Sequence, residues 1–223
     1  MNTAGLGPQA FLFDLDGTLV DSERENVESV VLALRRYGAE MTDDERGFVI
    51  GHSWNDIYRM VVRNHGLTVS MRELIDVAVL EKDRLLEKSG YRALPGAVDL
   101  VRRLAGRATL AVVSGASGKE VRDALTGIGV RDLFSAIVAA EDYTHGKPSP
   151  EPYLKGLAAI GAEAGRTIVL EDATPGILAA RAAGLRVIAV RAGNFAGYDL
   201  SAADVIVDTL ADVTDELCAR LIT

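Results

Sequence analysis

The stretch FLFDLDGTLVDS, from Phe11 to Ser22, ends an apolar run in two aspartates, a glycine and a threonine. Phe11, Leu12 and Phe13 read as a short, fully buried strand. Asp14 and Asp16 lie two residues apart, a spacing that lets both side chains face one way near a strand end. Two like charges that close repel unless something neutralises them. Hard oxygen ligands suit Mg²⁺, so a divalent cation is the natural partner for the pair.

Other residues of the same chemical kind recur at the ends of apolar runs. Thr109 to Val113 reads as a buried strand and delivers Ser114 and Gly115 just before a helix start, where backbone N–H groups favour an anion. Ala136 to Ala139 reads as a strand, and the loop after it carries His145-Gly146-Lys147-Pro148. Thr167 to Leu170 delivers Glu171 and Asp172. Each of these has an ordinary reading alone: a solvated turn, a decorated helix start, a surface lysine. Ligands in open parallel sheets bind beyond the carboxyl ends of the strands, and all of these residues fall there. Carboxylates, a hydroxyl and a lysine at one edge fit a metal beside a pocket for a small anion, with phosphate as the leading candidate.

The elements that must position them form an α/β pattern. Arg186 to Val190 is a further strand and Val205 to Val207 a short edge strand. Ser117 with Glu120 opens one helix by a capping box, Ser149-Pro150 another with Pro at its first position, and Thr174-Pro175 a third that Gly184 ends. Strands alternating with helices imply right-handed crossovers and a mostly parallel sheet. Between about residues 20 and 92 the chain offers no strand. Ser22 with Glu25, Thr42 with Glu45, Ser53 with Asp56 and Ser70 with Glu73 read as helix starts there, with Gly38, Gly66 and Gly90 as stops. The expected fold class is therefore α/β: a Rossmann-like parallel sheet core, residues 1–19 and 93–223, with an inserted all-helical domain over 20–92. Residues 1–9 read as a loose lead-in.

Composition narrows the function classes. Among 223 residues, 48% are hydrophobic and 25% charged, an ordinary globular balance. A net charge of −8 argues against binding to nucleic acid or to a membrane surface. With one cysteine, Cys218, no intrachain disulfide can form, which points to a reducing compartment and a cytoplasmic location. Cys218 itself reads as a small core hydrophobe in a C-terminal helix. No apolar run reaches the length of a membrane span, and no signal peptide is evident. The expected partner is a small molecule, and the chain a monomer or weak homodimer. Gly118-Lys119 and Gly146-Lys147 lack the spacing of a P-loop, Gly127-Ile128-Gly129 lacks the third glycine of a dinucleotide fingerprint, and His52, His65 and His145 lack metal-ligand spacing.

Taken together, these segments resemble the haloacid dehalogenase superfamily in all four of its motifs. FDLDGTLVDS (13–22) resembles motif I, VVSGAS (112–117) motif II, GKPSPEPY (146–153) the lysine-bearing motif III, and VLEDATPGILAARAAG (169–184) motif IV. The insert after motif I looks like the small helical cap of the group that contains phosphoglycolate phosphatase, β-phosphoglucomutase and sugar-phosphate phosphatases. The resemblance implies that Asp14 is the nucleophile of an aspartyl-phosphate and Asp16 the general acid and then base. It implies that Ser114, Gly115 and Lys147 hold phosphoryl oxygens. It implies Mg²⁺ at Asp14, at the Asp16 backbone carbonyl and at Asp172, with Glu171 close by, through water or by orienting Lys147.

Within that resemblance, the second aspartate argues for phosphate chemistry, because the family's true dehalogenases work without metal and lack it. Phosphonatases place a lysine in the cap; GHSWND (51–56) has none, although Lys82 and Lys88 follow. β-Phosphoglucomutase carries an arginine where Trp54 falls and a histidine near Asn26, so a phosphomutase is the alternative rather than the first reading. The expected activity is Mg²⁺-dependent hydrolysis of a small phosphate monoester: a sugar, glycolate or nucleotide phosphate. His52 and Trp54 are candidates for reading the leaving group, with Trp54 in the core of the insert as the competing assignment.

Overall fold

The computed structural model describes residues 7–50, 52 and 54–222. In chain order, β1 (Ala10–Phe13) and β2 (Val20–Asp21) precede four helices, α1 (Glu23–Arg36), α2 (Asp43–Val49), α3 (Trp54–His65) and α4 (Met71–Ser89). Then come β3 (Arg92–Ala93), α5 (Ala97–Leu104), β4 (Thr109–Val113), α6 (Gly118–Gly127) and β5 (Ala136–Val138). The chain ends with α7 (Glu151–Ile160), β6 (Thr167–Glu171), α8 (Thr174–Ala182), β7 (Arg186–Val190), β8 (Val205–Val207) and α9 (Asp215–Ile222). It divides into two compact units: residues up to Asp21 together with those from Arg92 onward, and Ser22–Tyr91.

The first unit is built on a six-stranded sheet in the order β5-β4-β1-β6-β7-β8, every pairing parallel. β1 lies between β4 and β6, with Leu12 opposite Ala111 on one side and Val169 on the other. All four residues of β1 are buried, because a central parallel strand is covered on both faces. Leu12 packs with Val113, Tyr153, Val169 and Ile177 on one face. Phe11 and Phe13 alternate to the other, where Phe13 meets Phe134 edge-on at 5.7 Å. After β5 the chain crosses to β6 on the far side of β1, so the carboxyl end of β1 lies at the switch point of the sheet. Cys218 is buried in α9.

The second unit is all α. Helices α1 and α4 pack extensively, with α2 against α1 and α3 against α4. Val31, Leu34, Val61, Leu74 and Ala78 form its core. The predicted capping boxes at Thr42/Glu45 and Ser70/Glu73 are formed, as is that at Ser117/Glu120 in the first unit.

Several local expectations are corrected. Ser22 makes no side-chain cap bond to α1: its φ of −115° and ψ of 1° lie outside the extended conformation an N-cap needs. Glu25, the other half of that expected box, accepts from Ser89 Oγ at 3.4 Å instead. The stretch read as strand-free begins and ends on strand: β2 and β3 pair antiparallel, Val20 with Ala93 and Asp21 with Arg92. Pro150 is the N-cap of α7 rather than its first residue. Helix α5, which starts after Gly96 in the left-handed conformation, has no counterpart among the helix starts expected above. The expected helix start at Ser53, like Gly51, lies outside the described residues.

Candidate active site

Asp14 follows β1 directly, and its N–H donates to the Leu170 carbonyl at 3.0 Å, which carries the sheet register one residue past the strand. Its carboxylate is nearly buried, as are Ser114, Glu171 and Asp172. Lys147 joins three of the strand ends. Its Nζ donates to Asp14 Oδ1 at 2.5 Å, to Glu171 Oε1 at 2.7 Å and to the Val113 carbonyl at 3.1 Å. The ammonium also stands 4.9 Å from the centre of the Tyr153 ring. The lysine is thus fixed by the ends of β1, β4 and β6 at once.

Glu171 has both oxygens committed within the protein. Oε1 accepts from Lys147 and from Tyr153 Oη at 3.0 Å, while Oε2 accepts the N–H groups of Asp172 and Ala173 at 2.9 and 3.0 Å. It can lie so close to α8 only because residue 176 is glycine: a Cβ there would stand 1.6 Å from Oε1. One of these four bonds ties Glu171 to Lys147, and the other three tie it to the Tyr153 hydroxyl and to the start of the loop after β6.

Asp172 is held from the loop after β1. Thr18 Oγ1 donates to Asp172 Oδ1 at 2.9 Å. In the same loop Asp16 makes an isolated bridge with Val20. On the far side of β1, Ser114 Oγ accepts the Ala116 N–H at 3.0 Å. Asp14, Asp16, Ser114, Gly115, Lys147, Glu171 and Asp172 therefore gather at one edge of one sheet. A cleft of about 970 Å³ lies at the opposite, amino-terminal ends of the strands, beside Gln9, Thr109 and Arg166, and holds none of them.

The electrostatics of this edge ask for positive charge. Burial, first, lifts Asp14 from the ordinary carboxylate range to about 7; Lys147 opposes that rise, and Glu171 and Asp16 add to it. Burial followed by repulsion from Glu171 and Asp14 lifts Asp172 to about 9. Burial alone would lower Lys147, but the carboxylates of Asp14 and Glu171 outweigh it and hold the ammonium well above its ordinary value. A divalent cation beside Asp14 and Asp172 would reverse both carboxylate shifts. Among the described residues no three Asp, Glu, His or Cys side chains form a metal-holding group. Mg²⁺ in general binds through one or two carboxylates and completes its shell with water, carbonyl and phosphate oxygens.

His52 and Trp54 belong to the helical unit. Trp54 opens α3 and packs half-buried on that unit's core. His52 is exposed and stacks on Phe48, with ring centres 3.8 Å apart and planes inclined by 20°. Three residues of the first unit emerged only from the structure: Thr18, Tyr143 and Tyr153. Tyr153 lies six residues after Lys147 inside the quoted GKPSPEPY motif and Thr18 inside FDLDGTLVDS, which were the available signals; Tyr143 had none beyond its nearness to the motifs.

The profile of the haloacid dehalogenase-like hydrolases matches residues 11–190. The chain is 31% identical to the validoxylamine A 7'-phosphate phosphatase of Streptomyces hygroscopicus subsp. limoneus, over 91% of this chain and 94% of the relative. It is also 31% identical to hexitol phosphatase A of Escherichia coli, over 92% and 93% of the two chains. In three dimensions it shares the fold of CbbY from Rhodobacter sphaeroides, solved in complex with phosphate, with a TM-score of 0.81 at 23% identity and 92% and 96% coverage.

Proposed function

The chain belongs to the haloacid dehalogenase-like hydrolase family as a phosphoric monoester hydrolase, and we propose that it cleaves a small phosphate monoester through an aspartyl-phosphate on Asp14. One observation carries the mechanism: a buried carboxylate at the switch point of the sheet, pinned by a lysine that a second carboxylate orients. The two similar phosphatases act, by their names, on validoxylamine A 7'-phosphate and on a hexitol phosphate, which supports a phosphorylated polyol or sugar as substrate class.

In this reading Ser114, Gly115 and Lys147 hold the phosphoryl oxygens while Asp14 Oδ attacks phosphorus. The ester P–O bond breaks, and the leaving oxygen takes a proton from Asp16. Asp16, now a carboxylate, removes a proton from a water that attacks the same phosphorus. The Asp14–phosphorus bond then breaks, which frees inorganic phosphate and regenerates both aspartates. Asp14, Asp172 and the Asp16 backbone carbonyl would hold Mg²⁺, which supplies charge neutralisation for an anionic nucleophile meeting an anionic phosphate. Glu171 holds Lys147 toward Asp14 rather than binding the cation. Phosphoryl transfer needs mainly positioning and charge stabilisation, and these residues provide both. The helical unit supplies the discrimination among leaving groups that the sheet edge lacks.

The decisive experiment is a phosphate-release screen over phosphorylated sugars, polyols, glycolate and nucleotides, with and without Mg²⁺, on wild type and Asp14→Asn. The variant keeps the shape and loses the attacking charge, so turnover should fall by at least ~10³-fold, the scale of a principal electrostatic contribution. A folded Asp14→Asn protein with near-normal turnover would overturn the mechanism. A phosphomutase would instead return the group to a sugar, giving an isomeric sugar phosphate with little phosphate release.

A further inference from the structure

The segment from Val138 to Tyr143 clasps the loop that follows β4. Ser114 N–H donates to the Val138 carbonyl at 3.0 Å, and Ala140 N–H donates to the Ala116 carbonyl at 3.0 Å. Gly118 N–H donates to Glu141 Oε1 at 2.9 Å, and Tyr143 Oη donates to the Ser114 carbonyl at 3.0 Å. Within the loop, Ala116 N–H is taken by Ser114 Oγ and Ser117 N–H by Glu120 Oε2. Among the described residues, Gly115 N–H is the one amide of residues 114–118 left with no protein acceptor.

The direction of that amide follows from its neighbour. The Ser114–Gly115 peptide is trans, so its C=O and N–H point to opposite sides of one plane. Tyr143, by holding the carbonyl, fixes where the N–H points. Ser114 Oγ, as acceptor from Ala116, keeps its own hydrogen for donation. The tyrosine ring is half-buried against the sheet core, so its hydroxyl is held in place by packing.

We infer that Tyr143 is a positioning residue for anion binding: its hydroxyl anchors the Ser114 carbonyl so that Gly115 N–H and the Ser114 hydroxyl meet a phosphoryl group together. The inference rests on the phosphatase reading above and adds a residue outside its reacting groups. Donors that hold phosphoryl oxygens in substrate and transition state alike contribute uniform binding, which appears in KM rather than in kcat.

Tyr143→Phe keeps the ring and removes only the O–H, and the test compares it with wild type in saturating Mg²⁺. The inhibition constant for inorganic phosphate and the KM for the best ester should rise together by roughly 3- to 10-fold, the factor of one net hydrogen bond. Over the same comparison kcat should stay within about twofold, as expected for uniform binding. A lowered melting temperature with unchanged phosphate inhibition and KM would overturn the inference and return Tyr143 to packing alone. A fall in kcat with KM unchanged would overturn it too. A wild type that hydrolyses no ester and is not inhibited by phosphate would instead remove the phosphatase reading, and this inference with it.

Discussion

A Cβ on Gly17 would stand 2.2 Å from Asp172 Oδ2, a distance no real side chain tolerates. Gly17 also has a φ of +82°, where an L-residue costs about 1–2 kcal/mol. Its outer face is closed as well, since a Cβ on Gly193 would lie 1.6 Å from the Gly17 carbonyl oxygen. The loop bearing Asp16 is therefore held between Asp172 and the loop after β7, with no room for a methyl group on either side. Gly17→Ala should displace Asp172 or the loop and lower kcat/KM by about 10²-fold or more, the cost of a misplacement near 1 Å. Steady-state kinetics with a parallel melting curve check this; wild-type kcat/KM in the variant would show that the two backbones can part harmlessly.

Metal removal is the second test. With Asp14 and Asp172 lifted by burial and by their neighbours, the site should favour a divalent cation and bind it through few protein ligands. EDTA should abolish phosphate release and Mg²⁺ restore it. Ca²⁺ should inhibit, because it takes more ligands at longer distances and would misplace Asp14. A cation that binds only the folded chain should also raise its stability, by about 2.7 kcal/mol at 100 times the dissociation constant. Full activity in chelator would overturn the metal assignment.

Trp54 packs half-buried on the core of the helical unit, so its role as a reader of substrate competes with a purely structural one. Trp54→Ala should lower kcat/KM for the preferred ester by about 1–3 kcal/mol if the ring reads the leaving group, the range of a contact hot spot. Acetyl phosphate, with little leaving group to read, should be nearly unaffected. Equal losses on both substrates with a lower melting temperature would assign Trp54 to packing and leave specificity to other residues, His52 on its Phe48 shelf among them.

A stability test away from the site uses Asp204. Its carboxylate accepts Val187 N–H at 2.8 Å, Arg181 at 2.6 Å and Arg186 at 3.2 Å. Burial by itself would raise its pKa, but the Val187 amide and the two guanidinium groups outweigh that and hold it below the usual range. A depressed folded pKa stabilises above the unfolded carboxyl value of about 3.9, and the gain is lost as pH falls through the folded value. Asp204→Asn should therefore cost about 0.5–1 kcal/mol at neutral pH, the scale of partly exposed charged hydrogen bonds after solvent screening. The gap between the two proteins should shrink as urea unfolding is repeated toward pH 3. A gap that does not change with pH would show that the charge contributes nothing.

What could be read in advance was whatever is local in the chain. Asp14 and Asp16, Ser114, Lys147, and Glu171 with Asp172 each sit beside a strand or loop whose pattern is complete within a few residues. The α/β alternation then places them at one edge. What could not be read depends on distant partners. The strands β2 and β3 are two residues each and exist only because Val20 meets Ala93. The Ser22–Glu25 spacing looks like a cap, yet Glu25 is engaged by Ser89 at the far end of the helical unit's longest helix. The different hydrogen-bond partners of Glu171 and Asp172 are likewise invisible in a dipeptide of two acids. Tyr153 and Lys147 meet Glu171 and Thr18 meets Asp172, each reaching in from a segment far away in the chain.

The small β2–β3 pair also bears on how such a chain tolerates change. It places Asp21 and Arg92 side by side on antiparallel strands, where a two-residue type I′ turn such as Asn-Gly could join them directly. Residues 22–91 are thus, for the sheet, one long hairpin loop whose ends never separate. Closure entropy rises only with the logarithm of loop length, about 0.6 kcal/mol for each doubling, so the sheet is nearly indifferent to what the loop contains. Whole helical modules could be exchanged at this junction, as cassettes, without re-registering one strand of the catalytic sheet.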